Sequence, residues 1–282
     1  MTGIIALDID GTVTHGSNPI PNEVISYLEN LASQGWVIAF ITGRIFSGSI
    51  HLLQGCTFRS YLAVQNGAII LEMPSRRIIS KRYLDRSVFA EMESICEDGP
   101  SDFVVYGGYE HNDICYFRPK KFSADLLPYL QSRITAFKET WRPIETFDEM
   151  KLESFPSIKC FGLYPEAKKL VEQIEANLNL HVPLIRDPFN KDYYIIQATH
   201  PQISKGNALQ DLVKLLGISP GKLIAAGDDY NDCSMWDIAD VRIVMETAPS
   251  ELLKNAHVIA PSAEKQGIIQ GIESAIARLQ YA

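Results

Sequence analysis

The sequence predicts a doubly wound α/β core on a parallel sheet, split by an inserted α+β domain. Three observations predict it. Short apolar runs alternate with amphipathic segments at both ends of the chain, which is the pattern of βαβ units. The middle stretch loses that alternation and reads as antiparallel strands mixed with helices. The 282 residues suffice for one large domain or two ordinary ones.

The first part alternates regularly. Residues 4–7 read as a buried strand, and Asp8-Ile9-Asp10-Gly11-Thr12 follows at once. Residues 21–33 read as a helix, with Val24, Ile25, Leu28 and Leu31 on one face and Gly35 closing it. Residues 37–41 are a second strand, ended by Thr42-Gly43-Arg44. Residues 61–64 are a third, ended by Asn66-Gly67. Strands joined by helices at this pitch pair in parallel through right-handed crossovers.

The middle stretch differs. Residues 69–71 and 77–79 flank Pro74-Ser75 and suggest a hairpin. Val88, Phe89, Met92, Ile95 and Cys96 suggest a helix ending near Gly99. Residues 103–106, 114–117, 158–164, 182–186 and 193–198 are β-like. Residues 124–137 read as a helix, with Pro128 tolerated near its start. Another helix opens at Pro165. The alternating pattern then resumes. Ser204-Lys205-Gly206 precedes a helix with Leu209, Leu212, Val213 and Leu216 on one face. Residues 223–226 form a strand, followed by Gly227-Asp228-Asp229-Tyr230-Asn231-Asp232. Residues 241–245 and 258–260 are two further strands, and 268–279 a closing helix. The expected division is 1–80 with 190–282 for the core and 81–189 for the insertion, a plausible size for a second domain.

In open α/β sheets, ligands bind beyond the carboxyl ends of the strands, where the strand order reverses. Asp8, Thr42 and Asp228 all lie at or just past such ends, and Lys205 opens the helix before the fourth core strand. Asp8, Asp10, Asp228 and Asp232 together need a cation, and oxygen-only ligation suits Mg²⁺. No histidine accompanies them, which argues against zinc. A lysine, a threonine hydroxyl and glycine-loop N–H groups are what a phosphoryl group requires. One acid beside Mg²⁺ and a lysine stays ionised and can attack; a second, off the metal, can carry a proton. Singly, each cluster has a plainer reading. Thr-Gly-Arg could be a strand followed by a glycine turn, Ser204 an N-cap, and Gly227 to Asp232 an acidic turn.

Other classes are excluded by residue pattern. From Asp8, the glutamate position of a calcium loop is Pro19, and from Asp228 its glycine position is Cys233. No G-x-G-x-x-G follows the first strand. The net charge of −8 lacks the footprint of a nucleic-acid binder and disfavours anionic membrane surfaces. No apolar run reaches membrane-spanning length. The five cysteines, Cys56, Cys96, Cys115, Cys160 and Cys233, include no C-x-x-C pair and read as reduced thiols. The chain enters its first strand almost at Met1, with no leader pattern. A soluble, cytoplasmic protein is expected.

The pieces L-D-I-D-G-T, I-T-G-R, V-Q-N-G-A, I-S-K-G-N-A-L and G-D-D-Y-N-D-C-S-M, in this order, resemble the haloacid dehalogenase (HAD) superfamily, specifically its Cof-like phosphatases. The resemblance covers nearly the whole chain. It implies a Rossmann-like core with a large α/β cap that closes over it and chooses the leaving group. It implies Asp8 as nucleophile and Mg²⁺ ligand, and Asp10 as general acid and base, with a metal contact through its carbonyl. Thr42 and Lys205 would meet the phosphoryl group, along with Gly11, Gly43 and Asn231. Asp228 would bind the metal and Asp232 would support it.

An aspartate at position 10, where relatives that keep their aspartyl-phosphate carry threonine, implies phosphatase or mutase chemistry. Three departures from the family pattern stand out: Asp229 for a small residue, Val244-Met245-Glu246-Thr247 for Met-Gly-Asn, and Ser262 for asparagine.

The expected activity is Mg²⁺-dependent hydrolysis of a small-molecule phosphate ester, such as a sugar phosphate, by a monomer or weak homo-oligomer. A phosphohexomutase resembling phosphomannomutase is the alternative, and it needs a second phosphate site from cap arginines such as Arg118, Arg133, Arg142 and Arg186. A non-catalytic phospho-acceptor is a third reading. Tyr106, His111, Arg118, Lys120, Arg186 and Lys191 are cap residues that could meet substrate, or could be ordinary surface.

Overall fold

The computed structural model describes residues 2–16, 18–97, 99–187, 189–219 and 222–280. The chain divides into two compact units. The first comprises Met1–Arg44, Ser49–Lys81 and Ser204–Ala282; the second, Ile45–Gly48 and Arg82–Ile203.

In chain order, β1 (Gly3–Leu7), α1 (Asn22–Ser33), β2 (Trp36–Ile41), α2 (Phe46–Ile50), β3 (Ser60–Val64), β4 (Ile69–Met73) and β5 (Arg77–Lys81) come first. The second unit then adds β6 (Leu84–Asp85), α3 (Phe89–Cys96), β7 (Val104–Tyr106), β8 (Cys115–Phe117), α4 (Leu126–Phe137) and β9 (Trp141–Pro143). It continues with β10 (Ser154–Phe155), β11 (Ser157–Leu163), α5 (Tyr164–Asn177), β12 (Leu184–Arg186) and β13 (Tyr193–Thr199). The chain returns through α6 (Lys205–Leu216), β14 (Leu223–Gly227), α7 (Cys233–Trp236), β15 (Val241–Met245), α8 (Ser250–Leu253), β16 (Val258–Ala260) and α9 (Ile268–Gln280).

The first unit is built on one sheet with the order β16-β15-β14-β1-β2-β3-β4-β5. Its first six strands are parallel, and the hairpin β4–β5 closes the edge antiparallel. All five residues of β1 are buried, because helices cover both faces of a parallel sheet. Ile4, Ile5 and Leu7 each contribute roughly 2 kcal/mol by leaving water. Such burial can hold a costly desolvated carboxylate at the strand's end. The chain runs outward from β1 through β2 to β3, then returns on the other side at β14, so the order reverses between β1 and β14. Leu7 pairs with Ala226 and Phe40. Asp8 therefore ends level with the turn after β14.

The second unit has a six-stranded sheet, β12-β13-β11-β7-β8-β9, antiparallel except for β8–β9. Strand alternation sends Val105, Ile158, Cys160 and Ile196 to one face, against Met92 of α3 and Leu170 of α5. Val104, Tyr106, Phe161 and Ile195 line the other, against Leu126, Tyr129 and Leu130 of α4. The return to the core lies at Ser204, later than the expected residue 190. The reason is register: β13 pairs with β11 over seven residues, from Ser157↔Thr199 to Leu163↔Tyr193, so it belongs to the inserted sheet. No helix among the described residues is long and apolar enough to cross a membrane.

Candidate active site

The site forms at the carboxyl edge of the parallel sheet. Asp8 is held by its backbone N–H on Ala226 O at 3.0 Å. Lys205 Nζ donates to Asp8 Oδ1 at 2.5 Å and to Asp232 Oδ1 at 2.7 Å. All three side chains are buried. Lys205 arrives there because α6 starts at it. Ser204 caps the helix by accepting from Asn207 N at 3.1 Å, and Gly206 N donates to Ser234 Oγ at 3.0 Å. The plain reading of Ser204 as an N-cap and the placement of Lys205 among the acids are thus both true.

Asp232 uses both its oxygens. Oδ2 accepts the N–H groups of Asp228 at 2.9 Å and Asp229 at 3.1 Å, closing the turn after β14. Asp228 reaches back toward the first loop, and Gly11 makes room. Gly11 has φ +78°, and a Cβ there would lie 2.2 Å from Asp228 Oδ2. The Gly11 N–H donates to Thr14 O at 2.9 Å. Its part here is spacing, and the expected amide contact to phosphate is already taken.

Asp8, Asp228 and Asp232 each present a carboxylate oxygen within 4.8 Å of the others. Burial first, then the neighbouring Asp232 charge, pushes the Asp228 carboxyl up to about 7. Burial likewise raises Asp8, with Lys205 opposing. Burial alone would lower the Lys205 ammonium, but Asp232 and Asp8 outweigh it and hold it raised. Three crowded acids with one ammonium leave uncompensated negative charge, and oxygen donors at this spacing fit a hard divalent cation. Asp232 is the least free to bind directly, since its oxygens already hold Lys205 and the turn.

Asp10 is not one of these three grouped acids, although its charge acts on Asp8 and Asp228. Its carboxylate accepts from Arg44 Nε at 2.7 Å and from Arg44 Nη2 at 2.5 Å, a two-point pairing. Thr42 is buried, and its Oγ1 accepts from Arg44 N at 3.1 Å, which leaves the hydroxyl proton to donate elsewhere.

A family model of the haloacid dehalogenase-like hydrolases matches residues 5–272. The chain belongs to that family. It is 24% identical over 295 residues to the 5-amino-6-(5-phospho-D-ribitylamino)uracil phosphatase YwtE of Bacillus subtilis (strain 168), covering 99% of each chain. A haloacid dehalogenase-like hydrolase from Bacteroides thetaiotaomicron superposes with a TM-score of 0.79 at 21% identity, covering 97% of this chain and 99% of that one. The subclass IIB sugar phosphatase BT4131 gives 0.73 at 18% identity, covering 96% and 98%.

Against the family pattern, the first unit brings Asp8, Asp228, Asp232 and Lys205 together and sets Thr42 and Gly43 at the end of β2. Asn231 is exposed on its turn. The departures have local causes. Asp229 caps the turn Tyr230–Asp232 by accepting from Tyr230 N at 2.7 Å. Glu246 accepts from Ser262 N at 2.9 Å and pairs with Lys265 at 2.8 Å, so the two later departures meet each other.

Arg44 is the residue that motif reading left unassigned, although Thr-Gly-Arg contains it. Its signal was a cation one residue past the proposed phosphoryl loop. Among the cap residues, Arg118 is buried on Asp102, at 2.8 Å through both Nε and Nη2, with Glu93 as a further partner and Phe147 beneath it. Tyr106 is buried and donates to Glu139 at 3.3 Å. His111, Lys120, Arg186 and Lys191 are exposed; Lys120 pairs with Glu145, and Arg186 Nε donates to Lys191 O.

Proposed function

We propose that this phosphatase hydrolyses small phosphorylated metabolites, sugar or polyol phosphates in particular, through an aspartyl-phosphate on Asp8 with Mg²⁺ as cofactor. The observation that carries the reading is the buried Asp8, fixed by Lys205 and facing Asp228 at the switch point of the sheet. The substrate class is supported by the names of YwtE and BT4131, which both specify phosphorylated molecules bearing several hydroxyls.

Asp8 attacks phosphorus while the bond to the leaving oxygen breaks, and Asp10 gives that oxygen its proton. In the second half, Asp10 takes a proton from water. The hydroxide attacks phosphorus, the bond to Asp8 breaks, and inorganic phosphate and a free Asp8 carboxylate remain. Thr42 donates to a phosphoryl oxygen, and Lys205 offsets charge on Asp8 and the phosphoryl group. Asp8, Asp228 and the Asp10 carbonyl would hold Mg²⁺, with Asp232 in support; bound, it supplies positive charge to the transferring group.

Removing the metal is expected to stop turnover of p-nitrophenyl phosphate on adding EDTA, with recovery on adding Mg²⁺. Mg²⁺ at a hundred times its Kd should also stabilise the fold by about 2.7 kcal/mol, seen as a higher Tm. Full activity after exhaustive chelation would overturn the metal requirement.

Arg44→Lys keeps the charge but lacks the planar fork. It is expected to slow alkyl phosphate esters by about ten- to a hundredfold, through a misplaced Asp10. p-Nitrophenyl phosphate, whose leaving group needs little acid help, should lose much less. Equal losses on both would remove Asp10 positioning as the role of Arg44.

Two of the four cap arginines that the mutase reading needs are already paired with acids. Arg118 is taken up by Asp102 and Glu93, and Arg133 lies buried against Glu139 and Asp187.

A further inference from the structure

Arg44 and Ile45 are consecutive in the chain, yet they fall in different units. The segment Ile45–Gly48 is built into the second unit, although the chain on both sides of it belongs to the first. Contacts within the second unit hold it. The Ile45 side chain is buried in the apolar cluster of Val104, Tyr106 and Cys115. The Phe46 ring meets Tyr109 edge-on, with centroids 4.5 Å apart. Ser47 N donates to Asp113 Oδ2 at 2.6 Å. That N–H lies in the first turn of α2, where no carbonyl of the helix itself can serve it. The Asp113 carboxylate therefore caps α2 from a distant part of the sequence.

The loop that presents Asp113 is costly. Asn112 and Asp113 take φ of +54° and +52°, and neither is glycine. Asp113 N donates to Gly108 O at 2.9 Å and Gly107 N to Ile114 O at 2.8 Å, which closes the loop on itself. Asp113 is only 4% exposed, and its Oδ1 has no hydrogen-bond partner among the described residues. A buried carboxylate with one oxygen unserved works against stability. Strain kept at such a position points to a function. What Asp113 holds is the chain just after Thr42-Gly43-Arg44, and Arg44 grips Asp10 through Nε and Nη2. The Arg44 backbone is fixed from the first unit, its N–H on Thr42 Oγ1 at 3.1 Å and its O accepting from Gln65 N at 2.8 Å. The residues that follow it are held by the second.

Resting on the reading of Asp10 as general acid and base, we infer that Asp113 is a positioning residue for that acid. By holding Ser47 it sets the path of the chain leaving Arg44, and so the aim of the Arg44 guanidinium on Asp10. Proton transfer in the first unit then depends on a carboxylate of the second.

The test compares glycerol 3-phosphate, whose leaving oxygen needs a proton, with p-nitrophenyl phosphate, whose leaving group needs little help. Asp113→Gly suits φ +52° without strain and removes the acceptor. It is expected to lower kcat on glycerol 3-phosphate by about tenfold, with KM and the rate on p-nitrophenyl phosphate kept within about twofold. Asp113→Asn retains an oxygen for Ser47 N and tolerates the same φ, so it should restore most of the loss. Phe46→Leu gives up the ring contact with Tyr109 and leaves Asp113 in place. It should show the same bias between the esters, and it replaces Asp113→Gly if that variant does not fold. In an Arg44→Lys background, Asp113→Gly should add less than about twofold, because both changes act on Asp10.

Equal losses on the two esters in Asp113→Gly, or no loss, overturn the inference. Losses that multiply in full with those of Arg44→Lys overturn it too. Failure of the natural enzyme on every ester, p-nitrophenyl phosphate included, is a different result and brings down the phosphatase reading itself.

Discussion

Asp8→Asn is expected to abolish turnover of phosphate esters, by about four orders of magnitude or more, while the protein stays folded. The size follows from removing an attacking group whose partners cannot replace it. The fold should survive for an electrostatic reason. Asp8 sits among Asp228 and Asp232, and among the described residues Lys205 is the cation paired with this group. An asparagine keeps the shape and can accept from Lys205 Nζ, and it removes one of several crowded like charges. Stability without metal should therefore hold or rise, the usual sign of a site in which function works against stability. The measurement is paired: rate on p-nitrophenyl phosphate, and Tm without divalent cation. Acid-quenched natural enzyme should carry a phosphoryl label and the variant none. Wild-type rates in the variant would mean that another group attacks.

Lys205→Met is expected to lose both activity and stability. The lysine is buried and joins Asp8 to Asp232, at 2.5 and 2.7 Å. Methionine keeps most of the volume but leaves two buried carboxylates without their cation. Breaking a buried ion pair from one side costs on the order of 3 kcal/mol. Turnover should fall by about a thousandfold or more, since charge on Asp8 and on the phosphoryl group loses its nearest offset. Unlike Asp8→Asn, this variant should show a lower Tm, and Mg²⁺ should restore part of it by neutralising the same acids. An unchanged Tm would show that the acids neutralise themselves by taking up protons.

Much of the fold could be read before any coordinates. Apolar runs such as Ile4-Ile5-Ala6-Leu7, short and followed at once by a glycine loop, read as strands buried on both faces, and the hard residues at their ends mark the carboxyl edge. The inserted unit was legible as antiparallel, but its end was not. The β-like run 193–198 reads with the middle stretch although the expected boundary falls at 190, and pairing with β11 assigns β13 to the second unit. Short pieces such as β9, α2 and α7 carry too few residues for a periodicity to show.

At the site, residue types announced the chemistry but not who touches whom. Asp10 and Asp232 look alike in a motif. One faces Arg44, and the other spends both oxygens on Lys205 and on its own turn. Gly11 reads as a phosphate loop, yet its N–H is bound to Thr14 and its missing Cβ admits Asp228. Arg118 and Tyr106, which from the sequence could meet substrate or be ordinary surface, are buried inside the second unit.

The sequence alone determined the architecture and which acids and which lysine end at the carboxyl edge of the sheet, because burial periodicity and the cost of misplaced charge are local properties of residue order. The tertiary structure alone decided the pairings among those groups: Lys205 between Asp8 and Asp232, and Arg44 on Asp10. Those partnerships depend on the register of β1 with β14 and on three-ångström distances between residues up to 197 positions apart, which no local pattern encodes.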